Sequence, residues 1–337
     1  MLNQNLKLNT KLFDEDVEQI PIRRGFGEGL VLAADADKNV VGLCADLNES
    51  SQMYLFAKKY PLRFVQVGVA EQNLVTVASG MAAMGKIPFT SSYAMFSPGR
   101  NWEQIRTTIA YNDRPVKIIG SHAGVSVGSD GGTHQAIEDI ALMRVLPNMI
   151  VLSPCDAIEA KKATIEAAKI NKPVYIRLTR EKTPLITTEE TPFEIGKGEI
   201  LFAPPMTAQV GIIATGALVH KAIIAAQNFS QKGISVKVLN ISSVRPLDFE
   251  AIINLAKEAG AIVSVEEHQV VGGLGSAIAE VLVQNYPVPM ELIGIHDKFG
   301  QSGTPAELIE YYGMGVSHIE KAVERVLNRK NDPTPSR

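Results

Sequence analysis

The chain has 337 residues, of which 45% are hydrophobic and 20% charged, and its formal net charge at pH 7 is -3. This length predicts two folded domains rather than one, and the composition excludes a disordered or collagen-like protein. Basic and acidic residues number 33 and 36, so no excess of positive charge favours a nucleic-acid partner. A globular enzyme or enzyme subunit fits these properties.

Membrane and disulfide chemistry are also not indicated. The first residues, MLNQNLKLNT, lack the apolar core of a signal peptide, and no run reaches the ~18 apolar residues of a membrane span. Cys44 and Cys155 each lie in or beside an apolar run without CxxC spacing, which predicts buried thiols rather than a disulfide or a zinc site. We therefore expect a cytoplasmic protein with no membrane partner.

The first half of the chain alternates strand-like and helix-like segments. Ile22, Phe26 and Leu30 fall at helical spacing, and helices are also predicted over Glu71 to Met84 and Ala157 to Ile170. Short apolar runs predict buried strands at Val40 to Ala45, Phe64 to Val67, Ile87 to Ser91, Val116 to Gly120, Met149 to Ser153 and Val174 to Leu178. This alternation predicts an α/β domain with a mostly parallel sheet and helices on both faces.

A change of composition separates a second unit. From Thr183 to Pro205, threonine, glutamate and proline replace the periodic pattern, which predicts a linker over residues 186–206 between domains at 1–185 and 207–337. Strands are predicted at Val210 to Ala214, Val236 to Ile241, Ile262 to Val265 and Leu292 to Ile295, with helices starting near Ala217, Asp248, Gly275, Pro305 and Ser317. The second domain is again α/β, and we expect the polar tail from Asn328 to Arg337 to be frayed.

The glycine-rich stretch SHAGVSVGSDGGTHQ, from Ser121 to Gln135, follows a predicted strand. It carries His122, Asp130 and His134, which are able to hydrogen-bond a polyhydroxylated substrate, and its glycines allow tight turns and close approach to a ligand. Thr133 is a candidate N-cap for the following helix. Spacing alone is equally compatible with a solvated loop that carries two surface histidines.

A carboxyl group and two aromatic rings are predicted at the same end of the sheet. Glu71 lies at the start of a helix that follows a strand, at the carboxyl edge of the sheet where ligands bind in α/β folds. Tyr93 and Phe96, in FTSSYAMF, come after the next strand and could stack on a planar ring. The alternative for Glu71 is a carboxylate favoured by the helix dipole, and for the two rings it is core packing.

Together, the motifs GVAEQN, FTSSYAMF, GSDGGTHQAIEDIALMRVLPNM and VRPLD resemble the C-terminal portion of transketolase, in the family's order and over nearly the whole chain. The resemblance implies a pyrimidine-binding domain followed by the family's C-terminal domain. The GDG-type motif that holds a divalent metal and thiamine diphosphate in transketolases does not occur here. We therefore expect one subunit of a split transketolase, with thiamine diphosphate as cofactor and the ligands of Mg2+ or Ca2+ on an N-terminal partner subunit, in an α2β2 assembly.

The resemblance also implies roles for the residues around the cofactor. Glu71 matches the carboxyl group that hydrogen-bonds the aminopyrimidine ring, and His134 matches a second catalytic group. Tyr93 and Phe96 match two of the aromatic positions that pack around the pyrimidine. The position of a third aromatic falls on Gly99, in SPGRNW, and Trp102 is the residue that could replace it.

Substrate contacts follow from the same resemblance. His122, Asp130 and His134 match positions that contact the sugar, whereas Arg23, Arg180 and Ser50 match a phosphate-binding set. Arginine suits phosphate because its planar fork binds two oxygens at once. Arg24 is an alternative to Arg23, and a surface salt bridge is the alternative role for Arg180 taken alone.

The implied activity is transfer of a two-carbon ketol unit from a ketose phosphate to an aldose phosphate. Three other hypotheses are the β subunit of a 2-oxo-acid dehydrogenase decarboxylase, a fragment of a 1-deoxyxylulose-phosphate synthase, and a regulatory binding module without activity. In the second domain, VEEHQVVGGLGSAIAE offers a glycine-rich helix start that could bind an anion. It lacks the full GxGxxG spacing, and the resemblance gives this domain a structural and dimer-forming role.

Overall fold

The computed structural model describes residues 1–332, and parallel strands with helices between them form its first domain. The strands of its sheet are β2 (Val40–Cys44), β3 (Phe64–Gln66), β4 (Ile87–Tyr93), β5 (Lys117–Ser121), β6 (Ile150–Leu152), β7 (Val174–Arg177) and β12 (Ser243–Arg245). Their order across the sheet is β12-β6-β7-β5-β4-β2-β3. All neighbours are parallel except β12, which is antiparallel to β6.

Helices cover both faces of this sheet, as the sequence predicts. They are α1 (Ile22–Ala36), α2 (Tyr54–Lys59), α3 (Glu71–Ala83), α4 (Trp102–Gln104, continued by a π-helical turn over Ile105–Ala110), α5 (Asp139–Arg144) and α6 (Ala157–Lys169). Alternation along β2 separates two cores: Val41 and Leu43 pack with α3, whereas Val40 and Cys44 pack with α1 and α6. Cys44 and Cys155 are buried free thiols, in agreement with the prediction.

The second domain is built on a five-stranded sheet in which only the edge strand β9 is antiparallel. Its strands are β9 (Glu199–Phe202), β10 (Val210–Ala214), β11 (Val236–Asn240), β13 (Ile262–Gln269) and β14 (Met290–Ile295), and its helices are α7 (Val219–Gln231), α8 (Phe249–Ala259), α9 (Leu274–Asn285), α10 (Pro305–Tyr311) and α11 (Val316–Asn331). Thus α11 continues through the first part of the tail that was expected to fray, and the rest, 333–337, lies outside the described residues.

Three segments cross the expected domain limits. Strand β9 lies inside the predicted linker but pairs with β11, so this stretch is part of the second sheet. Strand β12 comes from the second half of the sequence but extends the first sheet. The N-terminal leucines at 6, 8 and 12 pack into the second domain's core, although the sequence assigned them to the first domain. These contacts join the two domains through buried backbone and apolar surface.

A small antiparallel pair lies beside the first sheet. Strand β1 (Gln19–Pro21) pairs with β8 (Lys182–Pro184), which brings the chain just before α1 next to the chain just after β7. Arg23 and Arg180 follow and precede these strands, respectively. The pairing therefore brings two distant arginines to the carboxyl edge of the sheet, where β4, β5 and β7 also end.

Candidate active site

Glu71 is the first residue of α3, and its side chain is 1% exposed. The Ser92 hydroxyl donates to Glu71 Oε1 at 3.1 Å, and the Asn101 amide donates to the Glu71 backbone carbonyl at 2.8 Å. The second carboxylate oxygen, Oε2, faces the Arg100 guanidinium at 3.5 Å. The hydrogen bond from Ser92 to Oε1 fixes the orientation of the Glu71 carboxyl group, so Oε2 points toward Arg100.

Aromatic rings form one cluster beyond Glu71. The Tyr93 and Phe96 rings stack with centroids 6.1 Å apart, and His134 meets the Phe96 ring edge-on at 5.4 Å. The His122 ring stacks on Tyr93 with a centroid distance of 3.9 Å. Tyr93 and Phe96 are thus grouped with both histidines at the carboxyl ends of β4 and β5, where the sequence predicted them.

Neither candidate for the third aromatic position supplies a ring to this cluster. A Cβ at Gly99 would lie 1.9 Å from the Met95 carbonyl oxygen, so the local turn has no room for a side chain there. The Trp102 indole donates to the Leu142 carbonyl at 2.8 Å and packs against the core beside α3. Instead, the Arg100 guanidinium lies over the Phe96 ring at 5.6 Å. Sequence reasoning missed Arg100, although its position one residue after Gly99 could have drawn attention to it.

His122 is 2% exposed, and both of its ring nitrogens have partners. Its Nε2 lies 2.9 Å from Arg23 Nη1, and its Nδ1 lies 2.9 Å from the Ser121 hydroxyl. Burial, and then the positive charge of Arg23, lower the pKa of His122 to about 3, so the ring is neutral at ordinary pH. Because a guanidinium only donates, Nε2 accepts from Arg23 and the proton lies on Nδ1.

Arg23 and Arg180 form a positively charged pair beside the histidine. Burial, and then the positive charge of Arg180, lower the pKa of Arg23, and Arg23 Nε is buried without a hydrogen-bond partner among the described residues. Arg180 donates to the Val127 carbonyl at 2.6 Å and lies 3.7 Å from the Asp130 carboxylate. Two cations held close together favour an anion between them.

The contacts of Ser50 and Arg24 show where the remaining phosphate-site candidates lie. Arg23 donates to the backbone carbonyl of Ser50 at 3.2 Å, so Ser50 lies beside the pair. Arg24 points elsewhere: its Nε binds Glu28 at 2.6 Å and its Nη1 lies 3.3 Å from the Tyr54 hydroxyl. Of the two neighbouring arginines, Arg23 is therefore the one placed with His122 and Arg180.

The helix after the glycine loop begins later than predicted. The prediction that Thr133 is its N-cap is wrong, because α5 starts only at Asp139 and is preceded by Glu138. The Thr133 hydroxyl contacts His134 Nδ1 at 3.0 Å instead. Buried Gln135 fixes the intervening chain by donating to the carbonyls of Val125, Gly128 and Gln301, a role that its polar side chain did not reveal in the sequence.

In the second domain, the glycine-rich helix start is already occupied by the protein's own carboxylate. Glu266 accepts hydrogen bonds from the backbone N–H groups of Leu274 and Gly275 at 2.7 and 2.8 Å. Burial raises the pKa of this carboxyl to about 7. Because Glu266 takes the donors that an anion would use, the start of α9 offers no second anion site of the kind the motif suggested.

The site can therefore hold a planar ring and an anion at opposite ends. Glu71, Tyr93, Phe96 and His134 form an apolar and carboxyl-lined end that suits a planar ring. Among residues 1–332, Arg100 at 3.5 Å is the nearest hydrogen-bonding partner of Glu71 Oε2. Contacts run from Tyr93 through His122 to Arg23, so the anion end is one side chain away. Within residues 1–332, no group of three or more His, Cys, Asp or Glu side chains could hold a metal ion.

Comparison with known proteins shows the family to which the chain belongs. Residues 18–185 match the transketolase pyrimidine binding domain, and residues 196–319 match the transketolase C-terminal domain. The chain therefore belongs to the transketolase family, as a subunit of the split type.

Relatives of almost the same length support this assignment. The chain is 39% identical to the 6-deoxy-6-sulfo-D-fructose transketolase subunit SqwH of Clostridium sp. (strain MSTE9), with 95% of this chain and 98% of that one covered. It is 37% identical to an apulose-4-phosphate transketolase subunit of Phocaeicola vulgatus, with 90% and 96% covered. A solved structure titled as a split gene transketolase, inactive beta4 tetramer, superimposes with a TM-score of 0.86 at 43% identity, covering 92% of this chain and 99% of that one.

No helix within residues 1–332 is both long and apolar enough to span a membrane.

Proposed function

We propose that this chain, joined to an N-terminal subunit, transfers a two-carbon ketol unit from a ketose phosphate to an aldose phosphate with thiamine diphosphate. One observation carries the proposal: the buried Glu71 carboxyl and the Arg23–Arg180 pair lie at two ends of a single connected cluster. The Glu71 end suits the cofactor ring, and the arginine end suits the phosphate of a sugar that binds at the same time. The split-transketolase relatives support the same assignment.

Glu71 is proposed to hold a proton against the aminopyrimidine ring. Ser92 anchors Oε1, which leaves Oε2 to carry the proton and donate it to a ring nitrogen. Bound thiamine diphosphate supplies a carbon nucleophile whose formation this contact promotes. Arg100 lies 3.5 Å from Oε2 and over Phe96, so a ring bound between these two groups would lie next to its guanidinium.

The sugar is proposed to lie along the glycine loop. His134 and Asp130 offer donor and acceptor groups to the hydroxyls and the carbonyl region of a ketose. Neutral His122 accepts from Arg23 and orients its guanidinium, so we assign to His122 an indirect role in substrate binding. These groups act by positioning the substrate and by stabilising charge.

Arg23 and Arg180 are proposed to bind the terminal anionic group of the sugar. Bidentate guanidinium contacts suit phosphate. One relative is named for a 6-sulfo sugar and another for a sugar 4-phosphate, so the names of the relatives include more than one anionic group. We favour phosphate for this chain because Arg23 Nε has no hydrogen-bond partner among the described residues, and Arg180 and Ser50 lie beside Arg23.

The partner is proposed to be a chain of about 270 to 300 residues that carries a GDG motif. It would hold the diphosphate of the cofactor together with Mg2+ or Ca2+, in an α2β2 assembly located in the cytoplasm. The solved relative that is titled an inactive tetramer of one subunit type agrees with the expectation that this chain needs such a partner.

The deciding experiment combines the chain with its co-expressed partner, thiamine diphosphate and Mg2+, and measures ketol transfer from xylulose 5-phosphate. Transfer should require both chains, and calorimetry should show weak cofactor binding by this chain alone. A Glu71→Gln chain that still assembles is the matched inactive control. Transfer by the isolated chain, or none from the assembled pair, would refute the proposal.

A further inference from the structure

A cleft of about 370 Å3 opens between the two domains, apart from the candidate active site. Its walls come from both domains: Ser126 and Thr179 belong to the first, whereas His220, Lys221 and Glu267 belong to the second. None of the residues proposed to bind cofactor or substrate lines it. Its volume suits a small metabolite.

Three buried polar atoms in this cleft have no hydrogen-bond partner among the described residues. They are Ser126 Oγ, Thr179 Oγ1 and Glu267 Oε2, and the three residues are 7%, 3% and 2% exposed. The other Glu267 oxygen accepts from the Ser126 backbone N–H at 2.6 Å. Burial raises the pKa of Glu267, and Arg177 together with the Ser126 backbone and side chain partly offsets this effect. Buried polar groups are nearly always paired in folded proteins, so three groups without a hydrogen bond on residues that line one cleft make it a candidate binding site.

The charged residues around these atoms indicate which chemical class of ligand the cleft could bind. Lys182 is exposed and Lys221 half-buried, and neither forms an ion pair within the described part of the chain. His220 lies 3.1 Å from the Leu12 carbonyl oxygen, and burial lowers its pKa. Glu181 also lines the cleft, and its carboxylate lies 3.8 Å from Arg180 Nε. The cleft thus offers hydroxyls and a carboxylate oxygen inside, with two lysine charges and the Arg180-paired carboxylate of Glu181 beside them.

We propose that this interdomain cleft binds a small polyhydroxylated anion, a phosphorylated or carboxylated polyol. Its hydroxyls donate to Glu267 Oε2 and exchange hydrogen bonds with Ser126 and Thr179, and its anionic group pairs with Lys182 and Lys221. A hydroxyl donor matches a carboxylate oxygen that lacks a donor, and a phosphate or carboxylate matches unpaired lysines.

The cleft is also adjacent in sequence to the proposed phosphate site. Ser126 and Thr179 immediately precede Val127 and Arg180, which are hydrogen-bonded to each other at 2.6 Å. An occupant of the cleft would therefore contact residues that are next to Val127 and Arg180 in sequence. The proposal does not depend on the ketol-transfer activity, since it concerns binding to this chain alone.

Calorimetry on the full chain tests this directly, with sn-glycerol 3-phosphate and glycerate as probes. Neither is a ketose or an aldose, so binding is measured without turnover. Thr179→Val removes one hydroxyl at constant shape, and Lys221→Met removes one charge. Each should weaken binding of the preferred probe by tenfold or more. Lys38→Met, at an exposed lysine outside the cleft, should leave it unchanged.

Two results would overturn the proposal. The first is the absence of binding of either probe up to about 10 mM, a concentration at which millimolar affinity would be detected. The second is binding that Arg23→Ala abolishes while both cleft variants retain it, which would place the probe in the active site. Thermal melting of each variant confirms that the chain is folded, so that lost binding reports on the cleft.

Discussion

Arg23 and Arg24 are adjacent in sequence but lie in different surroundings, and their alanine variants form a matched pair. Arg23 lies with His122 and Arg180 at the proposed anion site. Arg24 forms an i,i+4 ion pair with Glu28 and its side chain is 39% exposed. Arg23→Ala should therefore impair use of a phosphorylated donor, whereas Arg24→Ala should not.

The size of the effect follows from the type of contact. A hydrogen bond to a charged group contributes about 1.5 to 3 kcal/mol, and each 1.36 kcal/mol is a tenfold change. Removing Arg23 also relieves its repulsion with Arg180, which offsets part of the loss. We expect kcat/KM for xylulose 5-phosphate to fall roughly tenfold to a hundredfold, mainly through KM because the contact is made in both the ground and transition states.

Steady-state kinetics of the assembled enzyme with two donors provides the assay. Hydroxypyruvate has no phosphate, so its kcat/KM should change little in Arg23→Ala. Arg180→Ala should show the same donor dependence. An equal loss for both donors would mean that these arginines support the fold or a subunit interface, and that phosphate binds elsewhere. A loss in Arg24→Ala as large as in Arg23→Ala would refute the assignment made from the contacts.

Three further variants test other parts of the site. Glu71→Gln in the assembled enzyme should slow proton exchange at the cofactor's thiazolium carbon by at least a hundredfold, roughly 3 kcal/mol of barrier; exchange measured by deuterium NMR at the wild-type rate would remove Glu71 from the mechanism. His122 stays neutral in the folded chain down to a pKa of about 3, whereas the unfolded chain binds a proton near pH 6.5, so folding loses stability as pH falls through this window. Urea titrations should show wild type losing about 1.4 kcal/mol per pH unit relative to His122→Gln between about pH 6 and pH 4, and parallel pH curves would contradict the buried, neutral assignment. Gly99→Ala should lower the free energy of unfolding by about 1 to 3 kcal/mol, because the new methyl group would clash with the Met95 carbonyl. Gly80→Ala, at an open helical position, should raise the free energy of unfolding slightly. Similar melting temperatures for the two variants would show that the turn at Gly99 can relax.

Helices and strands could be predicted from the sequence where a few neighbouring residues determine them. The apolar run at Val210–Ala214 is strand β10 with the predicted bounds, because a fully buried strand needs an uninterrupted apolar run. The sequence pattern predicts a helix that starts at Glu71 after a strand, and α3 begins at this residue. Such features depend on a few neighbouring residues, which the sequence displays directly.

Long-range pairing could not be predicted in the same way. Strand β12 is only three residues long and extends a sheet whose other strands lie within residues 40–177. Arg100 was missed because its role depends on the distance to Glu71 and Phe96, which are not its neighbours in sequence. The choice between Arg23 and Arg24 likewise required the position of His122.

The glycines of the loop at residues 121–135 serve contact between the two domains, whereas the sequence pattern predicts that they serve ligand binding. Its glycines suggested close approach of a ligand to the backbone, but a Cβ at Gly132 would lie 2.5 Å from the carbonyl oxygen of Gly300 in the second domain. The Gln135 amide binds the neighbouring Gln301 carbonyl at 2.9 Å, and Glu267 binds the start of the loop. The missing side chains thus allow two domains to approach, and the loop that carries Asp130 and His134 takes its shape from that contact. A C-terminal domain that contributes none of the proposed catalytic residues is therefore needed to hold them in place.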